Sequence, residues 1–403
     1  MTEAPDLCPT IVSQSLAAMG TSCASTDPNT TCYAHPEVAV TPANPSAQLA
    51  YNEPGDRLPL SQVQAVETGP LDVNSGNWGV NLMNVSANIP TALSQKGVVF
   101  VQFGGVEVKS AVDPSKAISG LATGIVVTTT SPADLLTWPA PSISGHASNL
   151  VTSLPAGASL SVDAISPAGL TGPSVRAVYT DPTMGVVTGW VLKSAVSTSV
   201  DLSGLPVIGP DDLNYFQSFT YDVPDVQNAP DCPQSTPLLM VQGPKNASAD
   251  LVVFNQPIRI ESTIVLRVIP GDGTNEPQFE WIDLTGMLVL FPDSPQQILI
   301  PPGFKTTVPL SEIQKLLAGE QVTLDFTTPV PATQDELDAL QGLQDLPSNE
   351  TNYTFIPPIV IQASGSGDTT PQLVSPDPSA LDAAQKACAA GLLPADTCQY
   401  LGF

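Results

Sequence analysis

The sequence contains 403 residues, of which 38 are acidic and 12 basic, so the formal net charge is −26. A nucleic-acid-binding protein needs clustered cations to displace the counterions of phosphates, so this composition argues against nucleic acid and anionic membrane surfaces as partners. The longest apolar runs, at 97–103, 262–269 and 286–291, fall far short of the roughly 20 residues that span a bilayer. With 42 prolines and 29 glycines, the chain is predicted to be a mainly β (α+β), multidomain protein with a few short helices.

Six cysteines indicate an oxidising compartment. None forms a CxxC pair, and zinc ligands usually lie two to four residues apart, so disulfides are expected and buried free thiols are the alternative. Cys388 and Cys398 are close enough for a local bridge, whereas the spacing leaves open which N-terminal cysteine reaches Cys232. The candidates are Cys8, Cys23, Cys32, Cys232, Cys388 and Cys398.

The opening residues, "MTEAPDLC", lack the basic and apolar stretches of a signal peptide. Because the cysteines point to secretion, we expect that such a leader was removed and a start methionine supplied. The predicted location is therefore extracellular or at the cell surface, with no transmembrane segment.

Residues 1–145 are predicted to form a cysteine-containing α+β domain. A first helix is expected to end at Gly20, because the apolar side chains before it share one helical face: Cys8, Ile11, Val12, Leu16 and Met19. A second helix is expected at 61–68, where "SQVQ" has the form of a capping box. Strands follow from Trp78, and the Pro- and Gly-rich stretch at 137–145 predicts the boundary.

Residues 146–200 are predicted to be a self-contained set of strands. This segment resembles a bacterial SH3 domain, whose run of Leu-Pro-x-Gly, alternating apolar residues, Val-Arg and Gly-Trp-Val is matched by Leu154, Pro155, Gly157, Leu160, Val162, Val175, Arg176, Gly189, Trp190 and Val191. The resemblance covers about 50 of the 403 residues and implies a small barrel. It departs from the family at 166–173, where an aromatic residue is often found.

The SH3-like resemblance implies a ligand groove formed by Trp190, Arg176 and Tyr179. The alternative is that Trp190 fills the core of the barrel. A cell-wall glycan is one ligand that such a module would bind.

Residues 201–362 are predicted to be a second β-rich domain with short helices at 311–319 and 333–343. The region resembles the extracytoplasmic sheet of FecR-type surface proteins, on a Pro-Gly turn at Pro302 and Gly303 followed by Val308. Residues 363–403 are predicted to be a linker, at 363–378, and a helix at 379–390 that ends before Gly391 and carries a disulfide.

Few residues suggest chemistry. A surface Ca²⁺ site is conceivable at Asp272, Asn275 and Glu276, and a plain polar hairpin tip is the alternative. Neither His35 nor His146 lies in a catalytic motif, and there is no G-x-S-x-G or phosphate-binding glycine loop, so we expect no enzyme and no cofactor.

Taken together, the order of three N-terminal cysteines, an SH3-like module and a second sheet resembles secreted proteins of filamentous Chloroflexota-type bacteria. The sequence predicts a non-catalytic extracellular or cell-surface binding protein, with a protein or cell-wall glycan as its partner. The alternatives are a structural subunit of an extracellular fibre or envelope layer, which would self-assemble, and a protein that targets cell-wall glycan.

Overall fold

A computed structural model of the chain describes residues 7–24, 26–90, 92–93, 97–118, 124–136, 150–167, 172–197, 199–209, 212–224, 236–244, 248–260, 263–271, 274–292, 294–340, 343, 346, 359–361, 372–374 and 378–401. The helices are α1 Leu7–Ser22, α2 Leu310–Leu317, α3 Gln334–Ala339, α4 Pro378–Ala389 and α5 Ala395–Tyr400, with 3-10 turns at Leu60–Gln62 and Lys193–Ala195.

The strands alternate with short turns along most of the chain. The first thirteen are β1 Thr30–His35, β2 Val38–Pro42, β3 Arg57–Pro59, β4 Val63–Thr68, β5 Val80–Val85, β6 Val98–Phe103, β7 Glu107–Ser110, β8 Ile125–Thr128, β9 Ala133–Leu136, β10 Leu150–Leu154, β11 Ser159–Ile165, β12 Ser174–Asp181 and β13 Gly185–Leu192. The others are β14 Ser218–Asp222, β15 Leu238–Gln242, β16 Ala249–Val253, β17 Gln256–Ile260, β18 Thr263–Ile269, β19 Gln278–Thr285, β20 Leu288–Leu290, β21 Ile298–Ile300, β22 Phe304–Pro309, β23 Val330–Pro331, β24 Ile359–Ile361 and β25 Gln372–Val374.

Three larger sheets and one strand pair result. A nine-stranded sheet has the order β23-β22-β19-β18-β15-β6-β5-β1-β3, an eight-stranded sheet has the order β2-β4-β7-β14-β16-β17-β20-β21, and a six-stranded sheet has the order β10-β9-β13-β12-β11-β8. β24 pairs with β25. Strands account for 42% of the chain and helices for 16%, which confirms the predicted mainly β (α+β) protein with a few short helices.

The nine- and eight-stranded sheets pack face to face and form a sandwich. Val98 and Phe100 of β6 point into the core between the sheets, where Phe100 lies 5.0 Å from Phe219 of β14 between ring centroids. Val99 and Val101 point to the opposite face, which α1 and α3 cover. Because both faces of the nine-stranded sheet are buried, its central strands are mostly apolar, and each fully buried Phe contributes about 1.5–3 kcal/mol.

The sandwich is built from strands that precede and strands that follow the six-stranded sheet in sequence. β6 pairs along its length with β15, and β7 pairs with β14, so strands from 1–145 and from 201–362 share both large sheets. The six-stranded sheet lies between them in sequence and includes β8 and β9, which precede residue 146. This arrangement differs from the predicted consecutive domains 1–145, 146–200, 201–362 and 363–403, because ladder pairing between distant strands is invisible to a pass along the chain.

A chain of buried polar groups crosses the core of the sandwich. The Tyr51 hydroxyl donates to Asn81 Oδ1 at 2.6 Å, and Asn81 Nδ2 donates to Gln102 Oε1 at 2.7 Å. Gln102 Nε2 then donates to the carbonyl of Val66 in the other sheet at 3.0 Å. Burial raises the pKa of Tyr51 well above its ordinary value, so the hydroxyl remains a donor. An unpartnered buried polar group is costly, so this series of hydrogen bonds fixes how the two sheets align.

Helix α1 agrees with the prediction on its buried face and continues to Ser22, beyond the expected stop at Gly20. His35 at the end of β1 connects it to the sheet. Its Nδ1 lies 2.9 Å from the carbonyl oxygen of Trp78 and 3.2 Å from Ser15 Oγ of α1. The half-buried ring therefore has a structural role.

The second predicted helix, at 61–68, is wrong. A 3-10 turn ends at Gln62, and strand β4 follows with Val63 and Val66 in the core. β4 pairs with β2 on one side and β7 on the other, and these ladders outweigh the local capping signal of "SQVQ". A capping box does occur at the predicted 333–343 helix, where Thr333 and Glu336 cap α3.

An ionic cluster attaches α3 to the nine-stranded sheet. The carboxylate of Glu280 is fully buried and binds Arg267 Nε at 2.7 Å and Lys305 Nζ at 2.9 Å. Glu336 of α3 contacts both cations. Burial alone would lower the pKa of Lys305, but the two carboxylates outweigh it and raise that pKa. The cluster thus compensates the desolvation of each charge.

Two of the expected disulfides are described. Cys23 joins Cys32, and Cys388 joins Cys398, with Cα–Cα distances of 5.7 and 5.6 Å. Cys8 is also disulfide-bonded, and Cys232 lies outside the described residues. The second bridge ties α4 to α5, and Gly391 after α4 has the positive φ of 69° expected for a helix stop. Of the predicted linker at 363–378, only Gln372–Val374 and the first residue of α4 are described. No described helix is long and apolar enough to cross a membrane.

The environment of His35 predicts a pH dependence of stability. Burial lowers its pKa below 6.5, against the opposing hydrogen bond to Trp78, so the unfolded chain takes up this proton at a higher pH than the folded one. The free energy of unfolding should therefore fall as pH decreases below about 6.5. Denaturant unfolding between pH 7.5 and about 5 measures it. The His35→Asn variant should lack this component, and parallel curves for the two proteins would contradict the prediction.

The Glu280→Gln substitution should destabilise the protein strongly. It leaves the buried Arg267 and the partly buried Lys305 facing a single carboxylate, and breaking a buried ion pair typically costs about 3–5 kcal/mol. The control is Asp382→Asn, which breaks an exposed pair with Lys386 and should cost below about 0.5 kcal/mol. Chemical denaturation of both variants gives the comparison, and equal losses would refute the structural importance of the cluster.

Candidate interaction surface

The hairpin of β12 and β13 organises the six-stranded sheet. At its tip, Asp181 Oδ1 accepts hydrogen bonds from the backbone N–H groups of Met184 at 3.0 Å and Thr183 at 2.8 Å. These bonds lower the pKa of Asp181 to about 2. Its other oxygen accepts from Thr152 of β10 at 3.0 Å, so one carboxylate fixes the tip and ties it to the edge strand.

One face of this sheet forms a small core and the other points outward. Val187 and Val191 of β13 pack inward, so the alternate residues of the same strand lie on the outer face. Directly opposed residues of antiparallel neighbours share a face, and the pairings extend this face across all six strands. We call this surface the outer face: Val126, Leu136, Leu150, Arg176, Val178, Val186, Thr188, Trp190 and Leu192.

Much of the outer face is apolar and open to solvent. Val126 is 66% exposed, Val186 46%, Leu150 45% and Leu192 38%. Met184 at the hairpin tip is 53% exposed and extends the patch. Six of the ten large apolar side chains that are exposed among the described residues lie between 124 and 209, so the exposure is concentrated in this part of the molecule.

The structure places the predicted groove residues on two faces. Trp190 and Arg176 are direct cross-strand partners on the outer face, and Trp190 is half-buried there. Tyr179 pairs with Val187 and packs against the inner core. The structure therefore brings two of the three residues together and separates the third.

The guanidinium of Arg176 is already engaged. It forms a bidentate ion pair with Asp163 at 2.8 and 3.1 Å, and both side chains are buried. Another nitrogen donates to the carbonyl of Asn88, and the side-chain amide of Asn88 donates to the backbone carbonyl of Asp212 at 2.6 Å. These bonds join the six-stranded sheet to the β5–β6 connection of the sandwich. The outer face is thus covered around Arg176 and open around Val126, Val186, Leu150 and Leu192.

Charge is sparse in this region. Residues 124–209 carry four acidic and two basic side chains, whereas the rest of the chain carries 34 acidic and ten basic ones. The outer face therefore lies in the part of the protein that contributes least to its electrostatic repulsion.

Sequence analysis missed most of this surface. The alternation of Val186, Thr188, Trp190 and Leu192 within "GVVTGWVL" was a usable signal for a strand with one outward face. Val126 and Leu136 could not be assigned to the same face, because their strands β8 and β9 lie before the predicted boundary at 145/146.

The predicted Ca²⁺ site has only two described members. Asn275 and Glu276 are exposed in the β18–β19 connection, and Asp272 lies outside the described residues. No group of three His, Cys, Asp or Glu side chains able to hold a metal occurs within the described parts of the chain. The site stays a prediction.

A groove lies at the edge of the eight-stranded sheet. It is a cavity of about 380 Å³ lined by residues 297–299, 326–329 and 391–394. Its volume lies within the range of ligand-binding clefts.

The comparisons with known proteins give no relative. No family model, no curated protein and no solved structure matches this chain.

Proposed function

We propose that this chain is a non-catalytic component of the cell exterior that acts by binding, and that its outer face is the contact surface. The observation that carries the proposal is the concentration of exposed apolar side chains in the region of lowest charge. Burying Val126, Val186 and Leu192 against a partner releases water from apolar surface without desolvating an unpaired charge.

The first partner of the outer face is a second copy of this chain. Two molecules of charge −26 repel each other, and at 0.15 M ionic strength the repulsion is screened beyond about 8 Å. Copies therefore approach best through surfaces away from the acidic residues. A self-complementary patch also gives a closed two-fold dimer, the commonest form of self-association. The structural-subunit alternative of the sequence analysis would need a further contact, because a closed dimer does not extend into a fibre or a layer.

Two features support the absence of catalysis and the exterior location. The buried carboxylates Asp163 and Glu280 have cationic partners, the buried Asp283 accepts from the N–H of Leu288, and His35 has a structural role. The described disulfides suit an oxidising compartment. A cell-wall glycan is the alternative partner, bound at Trp190. Binding of the protein to purified peptidoglycan would identify it.

The oxidising location has a direct chemical test. Alkylation of the unreduced protein, followed by mass spectrometry, should label none of the six cysteines, because bridged sulfurs do not react. Reduction before alkylation should expose all six. Six labelled cysteines without reduction would refute the exterior location.

The contact surface is tested by the Val126→Asp variant. Sedimentation of the wild-type protein from about 0.05 to 1 M NaCl, with and without Ca²⁺, should show self-association that strengthens as screening increases. Val126→Asp should weaken it at least about tenfold, since a symmetric contact would bury two unpaired carboxylates. The control is Val73→Asp, which adds the same charge at a 48% exposed position on the β4–β5 connection. A wild-type protein that stays monomeric throughout, or equal effects of the two variants, would overturn the proposal.

A further inference from the structure

The groove at the edge of the eight-stranded sheet opens beside β21, which has a strand partner on one side only among the described residues. Its first wall contains Ile298 and Leu299 of β21, the last strand of that sheet. Among the described residues, β20 is the strand partner of β21 on its other side. In an antiparallel edge strand, alternate N–H and C=O groups point away from the partner. The groove therefore has backbone donors and acceptors along one wall.

The opposite wall is held in place before any ligand binds. It consists of residues 326–329 and 391–394, and Thr397 Oγ1 joins the two segments by donating to the carbonyl of Pro329 at 3.1 Å. The Cys388–Cys398 bridge closes the loop that contains 391–394. Thr327 is bonded to β22 through its N–H and the Thr307 carbonyl at 3.0 Å. A wall fixed in this way lowers the entropic cost of binding.

The chemistry of the walls selects an uncharged occupant, because their side chains are apolar or, at Gln297, Thr327 and Thr328, polar and neutral. None of the residues at 297–299, 326–329 and 391–394 is charged, although the chain carries a net charge of −26. Apolar side chains are contributed by Leu299, Phe326 and Leu392, and Leu392 is 64% exposed at the rim. An acidic or basic ligand would lose hydration there without gaining a partner.

We propose that this groove binds an extended, uncharged peptide segment of a partner protein, which adds as a strand to β21. The three residues of β21 pair over about 10 Å of such a segment. Its alternate side chains contact Leu299 on one side and Phe326 and Leu392 on the other. Backbone pairing supplies affinity and the uncharged walls supply selectivity, as in other cases of strand addition. The site is separate from the outer face and does not depend on the function proposed for it.

The test uses the full chain and a capped peptide probe, Ac-GIVVTTT-NH2, an uncharged sequence rich in β-branched residues. Fluorescence polarisation with a labelled probe should show saturable binding, and hydrogen exchange at residues 297–300 should slow when the probe is added. Methylation of the probe's central backbone nitrogens should weaken binding at least about tenfold, because the pairing N–H groups are lost. Replacement of one valine by Asp in the probe should weaken it similarly.

On the protein, Leu392→Asp should weaken binding of the probe at least about tenfold, because it places a charge at the rim of the groove. The control is Leu317→Asp, at a 47% exposed position on α2 that does not line the groove, and it should leave binding unchanged. Both positions are exposed, so both variants are expected to fold. The absence of saturable binding, equal binding of the methylated probe, or equal effects of the two variants would overturn the proposal. Sedimentation measures self-association through the outer face, whereas the probe measures peptide binding in the groove. The failure of one proposal is therefore distinguishable from the failure of the other.

Discussion

The ladder between β6 and β15 is the interaction on which the rest of the structure depends. It pairs Val99 with Gln242 at one end and Phe103 with Leu238 at the other. It thereby joins the strands before the six-stranded sheet to those after it, in the middle of the nine-stranded sheet. Because Val98–Phe103 is buried on both faces, water cannot compete for these backbone groups. The segment between β7 and β14 leaves the sandwich and returns to it, and its strands form the six-stranded sheet.

The position of the six-stranded sheet shapes the candidate surface. The bond from Arg176 to the Asn88 carbonyl attaches the sheet to the sandwich by its outer face, and the ion pair with Asp163 of the same sheet holds the guanidinium in place. That attachment uses a buried ion pair and leaves the apolar part around Val126 and Val186 uncovered. A contact surface of low charge thus lies on an otherwise strongly acidic molecule, and the repulsion between molecules restricts which surfaces can meet.

Polar groups give the sandwich its specificity. Apolar packing alone tolerates small shifts of one sheet across the other, whereas the bonds from Tyr51 through Gln102 to the Val66 carbonyl are satisfied in one alignment. The Glu280 cluster similarly fixes α3 on the face of the nine-stranded sheet that points away from the sandwich core. At the far edge, the Thr397 bond and the Cys388–Cys398 bridge hold one wall of the groove beside β21 in place.

Local features can be predicted from the sequence: the mainly β class, helix α1, the helices around 311 and 334, the stop at Gly391 and the Cys388–Cys398 bridge. Each depends on neighbours within a few turns or strands, which periodicity and capping residues record. Three features required the folded molecule: 63–68 is a strand, residues before and after the six-stranded sheet share two sheets, and Arg176 is engaged by Asp163 and Asn88. These outcomes depend on partners distant in sequence, whose ladders and ion pairs outweigh local propensity. For the same reason Trp190 was found from its motif, whereas its neighbours Val126 and Leu136 on the outer face were found only from strand register.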